Sequence, residues 1–421
     1  MKYLLFLFVM LISNHIKSQE SKYAFVKMEE KWGLIDDKGN IIFDYKYDIK
    51  FTPTVKYAPY YNDSKTLIFD YSDGLFKYRD WNRYGFIDFD ENVIIKPQYK
   101  EASSFKEGYA LVIDGIRNGI INKEGKLVLD YTKNDILGYS ENRVLFKKGS
   151  NYGFFDMQGN TIIEPVFKKA SAFKDGLSCV KYKGAYGYIN TEGKWVIQPT
   201  FDDAASFIDQ FAIVKMDGAW GVINKDEEFV IQPTYNKIDY DRNGIFKVMK
   251  AGLCGFCNSK GEIIIPCIYE NAKSFSEGIV AVKSGPKWGA LDLQGKIMVD
   301  FKYLHISDCK EGIIRVKTNE GWLYLTDKGQ PINNQFYERA FDFSEGAAKV
   351  LVDGLYGYIN TSGEWLIQPK FPNSHDFHKG LACARVGEYW GFINKEGDFV
   401  VEPKYVNVMD FFEIKRFGIE E

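Results

Sequence analysis

Apolar residues in this chain come in short alternating runs separated by polar pairs and glycine. Phe211–Lys215, Gly221–Asn224 and Phe229–Ile231 are three such runs in succession. Alternation over four to six residues is the mark of a half-buried strand. The first run predicts a strand, seen also at Tyr23–Lys27 and Ile279–Lys283. A tight turn follows, then a second strand that opens on an aromatic-Gly pair, as at Trp390-Gly391. This strand ends in a polar pair and glycine, as in Thr191-Glu192-Gly193, where glycine supplies the positive φ of a hairpin turn. A third strand, such as Lys194–Ile197, is expected to stop at a proline: Pro165, Pro199, Pro233, Pro369 or Pro403. A connector closes the unit. Its aromatic, Ala and Phe stand three apart, as at Tyr269, Ala272 and Phe275, and that spacing predicts one helical or 3₁₀ turn laid on the sheet.

The unit repeats. The glycine of the aromatic-Gly pair falls at Gly33, Gly85, Gly119, Gly153, Gly187, Gly221, Gly255, Gly289, Gly357 and Gly391, with Leu323 in the same column. From Gly85 onward every interval is 34 residues. Tetratricopeptide helix pairs share this period. Here, however, the units carry a hairpin glycine, except at Glu91 and Glu227, and most carry a second glycine before the first strand, and no window offers the ten or more residues of 3.6-periodicity that a helix needs. The fold class is therefore all-β: a tandem array of eleven three-stranded meander units of about 34 residues. Such an array is either an open superhelix or a large propeller-like toroid. Ordinary propellers close at about four to eight blades, which favours the open form.

Three irregularities stand out. Eighteen extra residues lie between Gly33 and Gly74, giving the first repeat an insertion at about 51–73. It is either a cap that protects the end of the array or a binding loop. Leu323 breaks the glycine column, and Asn118 and Cys254 break the aromatic column. Phe411–Phe417 is expected to add a last partial strand.

Composition adds the setting. Met1–Ser18 has a positive start at Lys2 and an apolar run Tyr3–Ile12, too short to span a membrane. It is expected to be a signal peptide, with Gln19 starting a mature array over 19–421; a retained anchor or a core strand is the weaker alternative. The protein would then be secreted, periplasmic or on the cell surface, with no membrane span after cleavage. Formal charge is −3, with no basic stripe, so nucleic acid is not an expected partner.

Candidate chemistry is sparse. Cys254-Gly-Phe-Cys257 has redox spacing, but residues three apart on a strand face opposite sides. The two are expected to be core residues. A tight turn at Lys260-Gly261 would set Cys254 opposite Cys267, leaving a disulfide open, and a zinc site on Cys254, Cys257 and Cys267 would lack a fourth ligand. Cys179, Cys309 and Cys383 read as core. The mature chain has His305, His375 and His378; the spacing of the last two suits a metal only on a helical turn, so they are expected to be solvated loop residues. Acidic residues recur before the second glycine at Glu107, Asp175, Glu277, Glu311 and Glu345 and are expected to be solvated turn residues, with a cation or sugar site as the alternative. The aromatic column is expected to pack between repeats. No catalytic, cofactor-binding or metal residue is singled out, no cofactor is implied, and the binding residues stay unknown.

Trp32-Gly33, Trp220-Gly221, Trp288-Gly289 and Trp390-Gly391, with Tyr for Trp at Tyr84, Tyr152, Tyr186 and Tyr356, resemble the WG-repeat family over about Tyr23 to Phe411. The resemblance implies an exported bacterial repeat protein with no shared catalytic residues. The expected role is a non-enzymatic scaffold of the cell envelope that binds a protein or polysaccharide. A glycan-binding protein using exposed aromatics is one alternative, an enzyme with its site in the irregular connectors another, and a purely structural spacer a third.

Overall fold

The computed structural model describes residues 21–50, 66–132, 134–241 and 243–414. The expected signal peptide, Met1–Ser18, and residues 51–65 of the insertion lie outside the described residues. Within them the chain is all-β, built as eleven small antiparallel sheets, one per repeat, set as the blades of a closed propeller-like ring. Of the two forms the repeat permits, the closed one is taken. Blades are numbered 1 to 11 from Gly33 to Gly391.

A typical blade has four strands, one more than the sequence pattern predicts. Blade 5 runs Lys169–Ala170, Leu177–Tyr182, Ala185–Asn190 and Trp195–Phe201, in that order across the sheet. The extra strand is the connector. The expected helical turn does not form, because the connector's backbone groups pair with the next strand instead. In blade 8, Asn271 and Ala272 face Lys283 and Val282. Ser276 and Ile279 then exchange both hydrogen bonds around Glu277 and Gly278, a two-residue turn with φ of 51° and 80°. Two successive positive φ values define the type I′ hairpin, and glycine at the second position adopts its value without strain. The spacing of three still delivers apolar side chains: Phe275 sits edge-on to Phe256 of blade 7, with ring centroids 5.0 Å apart.

The aromatic-Gly pair and the proline turn out to be parts of one device. In blade 6, Trp220 faces Tyr235 while Val222 faces Ile231, so two steps on one strand oppose four on its neighbour. The neighbouring strand, Phe229–Tyr235, bulges there and runs through Pro233 rather than stopping at it. A bulge is where a strand tolerates proline, because the local ladder is already broken. The bulged backbone folds over the glycine. In blade 5 a Cβ on Gly187 would stand 2.6 Å from the Ile197 carbonyl oxygen and 2.8 Å from the Pro199 nitrogen. Blade 9 shows the converse. Leu323 occupies the glycine column, and the fourth strand is replaced by isolated bridges of Trp322 with Tyr337 and Leu325 with Pro331.

Core side chains lie between blades. Each of the eleven blade interfaces holds its own cluster; that between blades 5 and 6 joins Tyr188 and Ile197 to Phe207 and Val214. The cluster joining blade 11 to blade 1 sets Phe392, Val401 and Tyr405 against Ala24, Val26 and Ile35. The backbone closes the same seam. Val26 and Lys27 pair with Val408 and Asn407, and Ser21–Tyr23 pair with Phe412–Ile414, the expected partial strand. Blade 1 is thus built from both ends of the chain. Blades 1 and 2 also run together, because Thr66–Ser72, the described end of the insertion, pairs in parallel with the strand Ile41–Lys50.

The glycine-bulge device predicts that Gly187→Ala lowers stability by about 1–3 kcal/mol, the usual cost of forcing atoms into a packed site. Urea unfolding of wild type and variant measures it; a change below about 0.5 kcal/mol would contradict the close approach.

Candidate functional site

Most of the expected chemistry resolves into packing. Cys254 lies in the cluster between blades 7 and 8 and Cys257 in that between blades 6 and 7, on opposite faces of one strand. The bulge moves Cys254 opposite Tyr269, so it does not face Cys267, and all six cysteines are free thiols. The aromatic column is buried or half-buried, with Tyr186 buried beneath the Lys181 ammonium, 4.9 Å from the ring centre. Trp81, Phe336 and Tyr389 are exposed aromatics but share no repeat column. A small apolar pocket lies between blades 6 and 7, lined by Ile208, Phe211, Ile213 and Phe246 with Tyr240 and Ser206. It brings no set of titratable groups together.

The recurring acidic residues are more than solvated turns. Glu277 accepts from the backbone N–H groups of Glu311 (2.9 Å) and Gly312 (2.8 Å) in the next blade's turn. Glu311 accepts from Gly346 at 2.8 Å, and Glu345 from Lys379 and Gly380 at 2.6 and 2.7 Å. Asp73 and Glu141, in the same column, reach Gly108 and Gly176. Successive backbone N–H groups of a left-handed turn form an anion cradle, and these five turns each receive the carboxylate of the blade before them, whereas Glu107 and Asp175 keep the expected exposed turn position. Burial works against ionisation of Glu277, but the N–H groups of Gly312 and Glu311 and the Cys309 thiol outweigh it and hold the carboxyl below its ordinary value.

A second acidic column runs along the blade interfaces at Asp308, Asp342, Asp376 and Asp410. The first three face a cation from the preceding blade: Lys273 at 3.4 Å, Arg315 at 3.2 Å and Lys349 at 3.5 Å. Lys349 is buried and also donates to the Ser374 carbonyl at 2.8 Å. Asp410, at the seam, is different. His375 Nδ1 lies 2.7 Å from its Oδ1, Cys383 Sγ 3.5 Å from the same oxygen, and His378 Nε2 3.9 Å from Oδ2. Burial raises the Asp410 carboxyl, but the hydrogen bond and charge of His375, with His378 and Cys383, bring it below its ordinary value. Burial first, and then Asp410, push the Cys383 thiol well up.

The histidines therefore divide. His375 is half-buried, hydrogen-bonded and edge-on to Trp390 at 5.1 Å, not a free loop residue. His378 is the more exposed partner. His305 lies apart, in blade 9 beside Trp322; burial and the charges of Lys273 and Arg315 lower its imidazole pKa. It does not converge with His375. Sequence reasoning passed over Cys383 as core and did not name Asp410. The signal was present in the columns: Cys383 stands where Arg315 and Lys349 stand, 27 residues before an aspartate.

The carboxylate cradle predicts a pH dependence with a definite sign. A carboxyl held low in the folded state stabilises above its unfolded value and loses that contribution as pH falls through the folded one. Glu277→Gln is expected to cost under about 1 kcal/mol at neutral pH, since the group is largely exposed. The difference from wild type should shrink below about pH 4.5, the ordinary value. Thermal unfolding from pH 7 to 3 tests it; a difference that grows on acidification would contradict the cradle.

Among the described residues no helix is long and apolar enough to cross a membrane, which says nothing of spanning strands. No curated protein matches the chain. Solved structures align weakly. The crystal structure of a eukaryotic initiation factor is 11% identical, covering 74% of this chain and 95% of its own, with a TM-score of 0.41. PorZ, a surface component of the type-IX secretion system of Porphyromonas gingivalis, is 11% identical over 87% of this chain and 63% of its own, at 0.25. An extracellular domain of a hybrid two component system from B. thetaiotaomicron is 10% identical over 93% and 70%, at 0.24. Nothing about this chain's role follows from likenesses so distant. The family described as WG containing repeat matches at residues 32–49, 84–115, 152–184, 186–218, 220–254, 255–288, 288–322, 337–356, 356–390 and 390–413. These segments cover more than half of the chain, in phase with the blades, and the protein belongs to the WG containing repeat family.

Proposed function

We propose that this protein is an exported, non-enzymatic interaction scaffold that binds a protein partner of the cell envelope through the outer strands of its blades. The observation that carries the proposal is a column of apolar residues that recurs on the last strand of the blades that keep one. It includes Ile94, Ile162, Val196, Leu366 and Val400, all exposed at 36–47%. Other blades keep an aliphatic there in half-buried form, as at Val230 and Ile264. Interior packing does not require an exposed aliphatic at a fixed place, and exposed apolar residues in contiguous patches mark interaction sites. Repetition turns one such residue into an extended surface. The strand that carries it also has one edge unpaired within its own sheet, open to strand addition by a partner.

Glycan binding draws less support, since the exposed aromatics among the described residues fall in no common column. An enzyme draws less still, because the pocket between blades 6 and 7 is apolar. Crosslinked capture from the native envelope, with the protein as bait and mass spectrometry as readout, tests the scaffold. One dominant partner is expected, with recovery reduced severalfold by the paired substitutions Ile162→Lys and Val196→Lys. A partner retained undiminished by that variant would refute the aliphatic column as the site, and recovery of glycan alone would refute a protein partner.

A further inference from the structure

We propose that His375, Cys383 and Asp410, with His378 completing the set, form a site for a borderline-soft divalent cation of the Zn²⁺ class that clamps the seam of the ring. The comparison between blades carries it. At three successive interfaces an aspartate of the later blade is neutralised by a lysine or arginine of the earlier one: Lys273 with Asp308, Arg315 with Asp342, Lys349 with Asp376. These cations come from two columns, one 35 residues before the acid and one 27 before it. At the seam the same two columns hold His375 and Cys383. The aspartate is kept and its fixed cation is removed. Among the described residues no lysine or arginine comes within 4 Å of Asp410. The replacements are the two side chains that bind transition metals best.

The geometry suits an ion in place of the missing cation. One donor atom each from His375, Cys383 and Asp410 lie within 4.8 Å of one another. Bond lengths of about 2.0 Å to nitrogen and oxygen and about 2.3 Å to sulfur place neighbouring donors of a tetrahedral site roughly 3.3–3.7 Å apart. The 3.5 Å between Cys383 Sγ and Asp410 Oδ1 already meets that spacing. The 2.7 Å hydrogen bond of His375 to Asp410 would widen by about half an ångström as the ion enters between them. The donors are held by backbone. His375 N–H donates to the Cys383 carbonyl at 2.9 Å, and the Tyr358 hydroxyl donates to the His375 carbonyl at 2.6 Å. Met409, next to Asp410, donates to Phe25 across the seam. His375 and Cys383 belong to blade 11, whereas Asp410 lies in the segment that completes blade 1. A bound ion therefore ties blade 11 to the C-terminal segment that pairs with the strand Ser21–Met28, and so strengthens closure.

The test uses the purified protein, stripped with a chelator and titrated with Co²⁺ as a spectroscopic stand-in, then with Zn²⁺. One Co²⁺ per chain is expected, with the near-ultraviolet sulfur-to-cobalt charge-transfer band of a thiolate ligand, and Zn²⁺ should displace it. Cys383→Ser should abolish the band while the other five thiols remain, and Zn²⁺ should raise the melting temperature of wild type but not of this variant. Asp410→Asn, which keeps the side chain's shape, should weaken Co²⁺ binding about tenfold or more and covers the case in which the serine variant does not fold. Absence of the band in wild type, its survival in Cys383→Ser, or unchanged affinity in Asp410→Asn would overturn the site; Co²⁺ held without the band would mean binding by surface histidines alone.

Discussion

Every blade of this protein is apolar on both faces, and the structure depends on covering the last of those faces. Ten interfaces form between sequence neighbours. The eleventh sets Phe392, Val401 and Tyr405 against Ala24, Val26 and Ile35, residues at opposite ends of the chain. Burying a large apolar side chain is worth about 1.5–3 kcal/mol, so leaving this cluster open would forfeit on the order of 10 kcal/mol. Bringing together the ends of a flexible chain of this length costs roughly 5 kcal/mol, and a curved stack of blades pays less. Burial wins, and the array closes. Pairing of Ser21–Met28 with Asn407–Val408 and Phe412–Ile414 also removes the unpaired sheet edge that an open array would present.

Within a blade the governing constraint is the collision between the Gly187-type position and the bulged strand that crosses it. The aromatic, the glycine and, in six blades, the proline recur in phase along this chain because they serve one contact. The aromatic anchors the pair opposite residue Tyr235 or its equivalent, the glycine makes room, and the proline occupies the bulge. Blade 9 shows what happens without the room: Leu323 is buried, and the strand beside it gives way to two isolated bridges. Between blades a second regular contact operates, in which the carboxylate of one turn fills the N–H cradle of the next. Hydrophobic faces set the stacking, and these charged contacts hold its register.

Much of this was legible because alternation and period are local properties. The 34-residue spacing, the hairpin glycines and the strand runs around Trp220 each follow from a few neighbouring residues. Closure was not legible, since it depends on the small angle between blades, which packing sets and pattern does not encode. The connector misled for a related reason: the spacing of Tyr269, Ala272 and Phe275 fits a turn of helix, but Asn271 and Ala272 are captured by the adjoining strand. The bulge also displaced Cys254 from Cys267. At the seam, His375 was visible, yet its partners lie 8 and 35 residues further on: Cys383 meets it through a bridge inside blade 11, and Asp410 through the segment that completes blade 1. Aligning the columns rather than scanning for motifs would have brought Cys383 and Asp410 into view.

The central claim is that eleven repeats close into one ring through the two ends of the chain. Cryo-electron microscopy of the isolated protein tests it most directly. The account predicts face-on class averages with eleven blades around a continuous circle and no gap between the first and last. An open arc or a superhelical turn, with the N-terminal and C-terminal blades apart, would contradict it.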